Sequence, residues 1–154
     1  MLLYSISVFF HILLVTIWIG GQLFLPLVLI PALKNNSTKK EMLISTGLIF
    51  SKVGKISLIL LLATGILNLY FRGIDMDTLL HSRYGQIFLI KLFIFTIMVS
   101  FVYWHEKYIL KRVGNEIPEE EYGKYRKVAS ISGRITILLS LLMVWLGIML
   151  AKGL

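Results

Sequence analysis

Apolar residues form four long runs along the chain, separated by short polar segments. The runs lie at about residues 2–33, 45–71, 84–107 and 133–151. At a rise of about 1.5 Å per residue, each run is long enough to cross a hydrocarbon core of about 30 Å as a helix. The pattern predicts an all-α fold, an integral membrane four-helix bundle in which residues 1–154 form a single transmembrane domain.

Prolines and charged residues refine the connections between these runs. The first run is longer than one crossing needs, so we expect tilt, or a bend near Pro26, with Pro31 close to its end. Pro118 and the three glutamates after it favour an amphipathic surface helix over about residues 118–129, because proline and carboxylates suit a helix amino terminus. Residues 72–83 are short and polar and predict one amphipathic turn at the membrane interface.

Composition agrees with a lipid environment and excludes several functions. The chain is 57% hydrophobic and only 16% charged. Its net charge of +8 does not indicate nucleic-acid binding, because the basic residues lie between apolar runs; anionic lipid headgroups are the expected partners. There is no cysteine, which excludes thiolate metal sites and CxxC redox chemistry.

The distribution of lysine and arginine predicts the orientation in the membrane. Of the 16 basic residues, twelve lie at residues 34–55 and 107–134, on one side. Arg72, Arg83 and Lys152 lie on the other side, and Lys91 lies within the third run. Because cytoplasmic loops carry the excess of positive charge, both termini are expected outside the cytoplasm, in a multi-pass protein of the cell inner membrane.

Three titratable residues at membrane depth are the candidates for chemistry, because such groups are costly there unless paired or solvated. They are His11, Lys91 and His105. His11 and Lys91 lie about 13 Å and about 10 Å from the outer ends of their helices, so they could share one layer. Helical periodicity puts His11, Trp18 and Gln22 on one stripe, and Lys91, Met98, Val102 and His105 on another.

Each candidate has a structural alternative beside its functional interpretation. His11 is either a metal ligand, to haem iron or copper, or a histidine donating to a neighbouring group. Lys91 either pairs with a carboxylate or propionate or extends toward the interface. His105 lies among interfacial aromatic residues, which favours an interfacial role. The methionines form no tight cluster, and Gly20, Gly21, Gly65 and Gly147 most simply allow close helix approach.

Three segments resemble the copper-resistance D (CopD) membrane domain over almost the whole chain. They are HILLVTIWIGGQLFLPLVLIPAL, FSKVGKISLILLLATGILNLYFR and YGQIFLIKLFIFTIMVSFVYWHEKYI. The resemblance rests on His11, Trp18, Gly20, Gly21, Thr64, Gly65, Asn68, Tyr84, Gly85 and Lys91. It implies a role in copper resistance or uptake at the inner membrane.

The histidine of the first helix and the lysine of the third are also similar to those of the HemJ-type protoporphyrinogen oxidase, a haem b protein. That similarity implies His11 as haem ligand and Lys91 as its partner, although the Arg and His expected just after the first helix are replaced by PALKNNSTKK. The lead hypothesis is a CopD-like protein handling copper or haem through His11, which is the predicted metal ligand, with Lys91 and His105 as further cofactor-binding residues.

Two alternatives to that lead stay open. One is the HemJ-like haem oxidase. The other is a non-catalytic subunit of a larger respiratory assembly, in which the polar residues serve only packing. A homodimer and a respiratory or metal-handling membrane partner are both compatible with the sequence, which does not decide whether the protein is an enzyme.

Overall fold

The computed structural model describes residues 2–107 and 119–153, and these are helical apart from short turns. The elements are α1 (Leu2–Phe24), a π-helical turn (Leu25–Leu29), α2 (Ile30–Ala32), α3 (Lys39–Phe71), α4 (Met76–His81), α5 (Arg83–His105) and α6 (Glu119–Lys152). Four segments are long and apolar enough to cross a membrane: Leu2–Ala32, Lys39–Phe71, Arg83–His105 and Gly123–Lys152. The prediction of an all-helical protein with four such spans is confirmed for the described residues.

Two of these helices extend beyond the apolar runs of the sequence. The helix α3 begins at Lys39, six residues before the apolar run at Ser45. The helix α6 is continuous from Glu119 to Lys152, so the predicted surface helix and the fourth span are one helix; Pro118 lies outside the described residues. Hydropathy marks where a helix enters lipid, whereas the helix itself continues until a residue interrupts its hydrogen bonds.

The first span changes its helical type at its first proline. The α-helix ends at Phe24, and Leu25–Leu29 form a π-helical turn that contains Pro26. Proline has no N–H to donate, and its ring collides with the carbonyl one turn earlier, so the wider turn relieves both constraints. The distortion occurs where the sequence predicts a bend.

Aromatic rings lying on glycines bring α1 and α3 together. A Cβ on Gly54 would lie 2.6 Å from the ring of Trp18, and a Cβ on Gly21 would overlap the ring of Phe50. The two rings stack with centroids 5.7 Å apart. Gly21 and Gly54 therefore allow the close approach of the two helices, whereas Gly20 has nothing within 4 Å of its Cβ position.

Trp18 also belongs to the buried core of the bundle, where it packs with Leu58, Leu61 and Met98. The other close backbone contacts are made by α5 with α6 and by α1 with α6. We call the end of the bundle that holds Leu2 and Lys152 the terminal end, and the opposite end the loop end.

The surface of the bundle is apolar and its interior is partly polar. Leu3, Phe9 and Trp145 expose 64%, 62% and 63% of their surfaces, whereas Ser140 exposes 1%. This arrangement suits a protein whose solvent is hydrocarbon and whose helices associate through small and polar side chains. The chain is a multi-pass membrane protein.

The short helix α4 fixes the start of α5 at the terminal end. Asp75 accepts a hydrogen bond from the Thr78 backbone N–H at 2.8 Å, and hydrogen bonds from the Thr78 side chain and backbone lower the pKa of Asp75. Ser82 caps α5 by accepting from the Gly85 N–H at 3.0 Å. A side chain at Gly85 would collide with the backbone of Leu79, so glycine is required there. These contacts set the depth at which α5 carries Lys91.

Candidate ligand-binding cavity

A cavity of about 430 Å³ lies between the α1–α3 pair and the α5–α6 pair, in the half of the bundle nearest the terminal end. Its walls are mainly apolar, and none of its described lining residues is acidic. The cavity brings His11 and Lys91 to one space, as the depth estimates predict. Its polar lining residues include Tyr4, His11, Thr16, Asn68, Arg72, Tyr84, Lys91 and Ser140.

The imidazole of His11 is held by Thr64 on α3. The His11 Nδ1 and Thr64 Oγ1 atoms are 2.8 Å apart, and Thr64 Oγ1 also lies 2.8 Å from the carbonyl oxygen of Leu60. Because the single hydroxyl proton of Thr64 is donated to Leu60, His11 Nδ1–H is the donor to Thr64. We assign the tautomer from this network: Nδ1 carries the proton, and Nε2 keeps its lone pair.

The remaining nitrogen of His11 is available to a ligand. Among the described residues no hydrogen-bond partner accompanies Nε2, and His11 lines the cavity. Gly65 leaves space beside the ring, because a Cβ there would lie 3.7 Å from His11 Cε1. A histidine whose Nδ1–H is fixed by a second group and whose Nε2 is free has the arrangement of a metal ligand.

Lys91 extends toward α6 and lies over Gly147. Its Nζ is 3.3 Å from the position that a Gly147 Cβ would occupy, so the absence of a side chain leaves room for the ammonium group. Lys91 and His11 line the same cavity. In the described part of the chain no carboxylate forms an ion pair with Lys91. Lys91 therefore lines the cavity without a carboxylate counter-ion from those residues.

A second cation, Arg72, closes the terminal end of the cavity. Its Nε donates to the Tyr4 hydroxyl at 3.0 Å, and its Nη1 lies 3.5 Å from the Leu150 carbonyl oxygen. The guanidinium carbon lies 5.0 Å from the ring centroid of Tyr84, a cation–π contact. Arg72 thus contacts residues of α1, α5 and α6 from the end of α3.

The floor of the cavity is a buried chain of hydrogen bonds. The Trp18 Nε1–H donates to Ser140 Oγ at 3.0 Å, and Ser140 Oγ donates to Met98 Sδ at 3.4 Å. All three side chains are buried. These contacts separate the cavity from the loop half of the bundle.

His105 does not line this cavity. Its Nδ1 is hydrogen-bonded to the hydroxyl of Ser132 on α6, in the loop half of the bundle. The next residue along the chain, Glu106 at the end of α5, forms an ion pair of 2.7 Å with Lys55 of α3. The structure therefore brings together two of the three predicted residues, and a role for His105 in ligand binding stays a prediction.

Sequence reasoning missed the Arg72 cluster and Ser140. In the sequence, Arg72 is only a basic residue that flanks a span, because no local sequence pattern shows that its side chain lies over a cavity. Helical periodicity could have indicated Tyr4 and Ser140. Tyr4 precedes His11 by seven residues, and Ser140 precedes Gly147 by seven. Because residues seven apart share a helix face, Tyr4 lies on the face of His11, and Ser140 lies on the face of Gly147.

Comparison with known proteins now defines the family. The family described as copper resistance protein D matches residues 46–146. The chain belongs to the copper resistance protein D family. An uncharacterized protein of Aquifex aeolicus (strain VF5) is 31% identical over 153 residues, which cover 97% of this chain and 96% of that protein. No solved structure matches this chain.

The family name raises the question of whether copper fits the cavity. Residues 2–107 and 119–153 contain no group of three or more His, Cys, Asp or Glu side chains that could hold a metal ion. The donors lining the cavity are His11 and the thioethers of Met98 and Met143, and Met98 Sδ already accepts from Ser140. Two cations border the same space. The residues do not fit a closed, resident copper site, for which several N or S donors without adjacent positive charge are needed.

Proposed function

We propose that this member of the copper resistance protein D family handles copper or haem at the cavity, with Nε2 of His11 as the metal-facing donor. One observation carries the proposal: Thr64 fixes the Nδ1–H of His11 and leaves Nε2 free at the cavity. Second groups of this kind orient ligating histidines and raise their basicity.

Haem is our first candidate for a resident ligand, and the composition of the cavity lining is compatible with it. A haem iron would need only one imidazole from the protein, for which His11 is available, because the porphyrin itself supplies four nitrogen donors. Apolar walls suit the macrocycle, and Lys91 and Arg72 suit its propionates. When bound, haem would supply one-electron redox chemistry. Thr64 would orient His11, and the buried Trp18–Ser140–Met98 contacts would exclude water at the floor of the cavity.

Copper is the second candidate, and here it would be cargo instead of a resident cofactor. The family description favours it, as do the soft thioether sulfurs of Met98 and Met143 at the cavity wall. With Met98 already accepting from Ser140, His11 and Met143 are the remaining soft donors, and so small a donor set would bind Cu(I) weakly, which suits an ion that must leave again.

The orientation of the protein is part of the same proposal. With both termini outside the cytoplasm, the cavity lies in the outer half of the inner membrane, and the basic loop end faces the cytoplasm. Because the chain has no cysteine, single cysteines can report on each side: Asp77→Cys should react with an impermeant maleimide in intact cells, and Lys124→Cys only after lysis. Reversed labelling would contradict the orientation.

A spectrum and a metal analysis test the ligand. The protein is purified in detergent from cells that make haem and are grown with copper, as wild type, His11→Ala and the control His81→Ala. His81 lies in α4, and its Nδ1 is near the Asp77 carbonyl oxygen, away from the cavity. A Soret band lost only in His11→Ala would establish haem, and copper lost only in His11→Ala would establish copper.

Absence of both ligands, or their retention in His11→Ala, would overturn the proposal. It would leave the non-catalytic packing role for His11.

If the spectrum instead demonstrates haem, the HemJ-like oxidase activity can be assayed directly, with protoporphyrinogen as substrate and the His11→Ala protein as blank.

A further inference from the structure

The cavity reaches the lipid-facing surface of the bundle. Four of its lining residues, one from each long helix, are also substantially exposed: Ile12 (59%), Ile66 (54%), Leu92 (38%) and Ile148 (46%). All four are apolar, so the gaps between the helices at this level are lined with the same kind of surface as the bundle exterior. A molecule dissolved in the bilayer can enter without crossing water.

The charges of the cavity specify what kind of molecule would be stable there. Lys91 and Arg72 are both cationic, and no described lining residue is acidic. Arg72 contacts the ring of Tyr84, and the backbone of Lys91 lies seven residues, or about 10 Å, further along α5 than that of Tyr84. An unpaired cation at membrane depth is costly, and an anionic group of a ligand would remove that cost.

Asn68 is a further polar residue of the cavity wall. It lies on α3 one turn beyond Thr64 and one turn before Arg72, and it lines the cavity. Its Oδ1 is buried and has no hydrogen-bond partner among the described residues. Because this oxygen accepts hydrogen bonds and a carboxylate has no proton to donate, Asn68 does not contribute to recognition of the anionic group.

We propose that the cavity binds a carboxylate-bearing amphiphile drawn from the bilayer, with Lys91 as the counter-ion of the carboxylate, Arg72 as the cation at the mouth, and the apolar walls around its body. Arg72 already donates to Tyr4 and approaches Leu150, whereas Lys91 has no hydrogen bond or ion pair within the described residues, so Lys91 is the principal carboxylate partner. The inference concerns the same cavity as the proposed function, but it requires no metal.

Two sources could supply such a carboxylate: a fatty acid of the membrane, or a porphyrin with its propionates. Two acid and ester probe pairs distinguish them, in nanodiscs of zwitterionic phosphatidylcholine. The first is a diazirine-bearing palmitic acid with its methyl ester, scored by photolabelling and peptide mass spectrometry. The second is iron-free protoporphyrin IX with its dimethyl ester, scored by porphyrin fluorescence.

The variants separate charge from packing. Lys91→Met removes the cation, Lys91→Arg keeps it, and Lys52→Met is the matched control at an exposed lysine of α3 that does not line the cavity. Loss of one charged hydrogen bond predicts that Lys91→Met weakens binding of the acid by about tenfold or more. Lys91→Arg should retain most of the binding, and Lys52→Met should equal wild type.

The outcomes decide both the chemistry and its source. Selective binding of palmitic acid supports a lipid ligand, selective binding of protoporphyrin supports a porphyrin, and selective binding of both acids supports recognition of their shared carboxylate. Equal binding of acid and ester, or unchanged binding in Lys91→Met, overturns the inference. Since iron-free protoporphyrin needs no axial ligand, His11→Ala should still bind it, so this inference and the His11 proposal fail separately.

Discussion

The two halves of the bundle contain nearly the same polar groups in different surroundings. In the terminal half, His11 is bonded to the hydroxyl of Thr64, and in the loop half, His105 is bonded to the hydroxyl of Ser132. In each case the hydroxyl lies in hydrogen-bond reach of a carbonyl on its own helix. A histidine bonded to such a hydroxyl therefore occurs both at the cavity and away from it.

The lysines and the open space distinguish the two halves. Lys55 in the loop half forms an ion pair with Glu106, whereas Lys91 in the terminal half has no carboxylate beside it in the described chain. Only the histidine of the terminal half lines the cavity. The two halves therefore differ less in their residue types than in whether a lysine has a carboxylate partner in the described chain and a histidine lines open space. We take that combination as the sign of a ligand site.

The largest expected effect contrasts the two histidines. His11→Ala should lose the bound metal or haem entirely, because no other described imidazole lines the cavity. His105→Ala should keep full occupancy, as measured by the Soret band or by copper content per protein. Equal loss in both variants would show that the halves share one site, contrary to the comparison.

A smaller effect is expected for the hydroxyls that hold these histidines. Thr64→Val keeps the shape of the side chain and removes the acceptor for Nδ1–H, so we expect ligand affinity to fall by about 10–100-fold. Ser132→Ala makes the matching change at His105 and should leave affinity unchanged. Titration of ligand into both purified proteins measures the difference, and an unaffected Thr64→Val would argue against an orienting role for Thr64.

Packing beneath the cavity provides a prediction about stability. In Gly54→Ala the new methyl group displaces the ring of Trp18, so we expect the protein to lose about 1–3 kcal/mol and the Trp18–Ser140 hydrogen bond to weaken. Gly20→Ala is the matched control, because its Cβ has nothing within 4 Å. Thermal unfolding and the emission of a variant retaining only Trp18 report the two effects; equal stability of both variants would refute the packing argument.

The smallest effects concern the two lysines, and they should have opposite signs. Lys91→Met removes an unpaired cation from the membrane interior, so the ligand-free protein should unfold at a higher temperature. Lys55→Met leaves Glu106 without this partner and should cost at most about 1 kcal/mol, since the Lys55 side chain is nearly half exposed. Differential scanning fluorimetry at one scan rate compares them. A stabilised Lys55→Met would show that the loop half is also electrostatically strained.

The sequence by itself determined the four spans and which residues share a face on two of them. Trp18, Gln22 and Met98, which belong to the stripes on the first and third helices, are buried in the structure. Both results follow from local rules: lipid requires long apolar helices, and a regular helix brings residues seven apart to one face.

Only the tertiary structure decided which polar residues meet. Arg72 contacts Tyr4, Tyr84 and Leu150 because three other helices end beside it, and His11 meets Thr64 because aromatic rings on Gly21 and Gly54 set how closely α1 and α3 pack. The same packing separates His105 from His11 by a buried Trp18–Ser140–Met98 layer. Rotation and contact of helices depend on side-chain shapes far apart in sequence, which hydropathy and periodicity do not record.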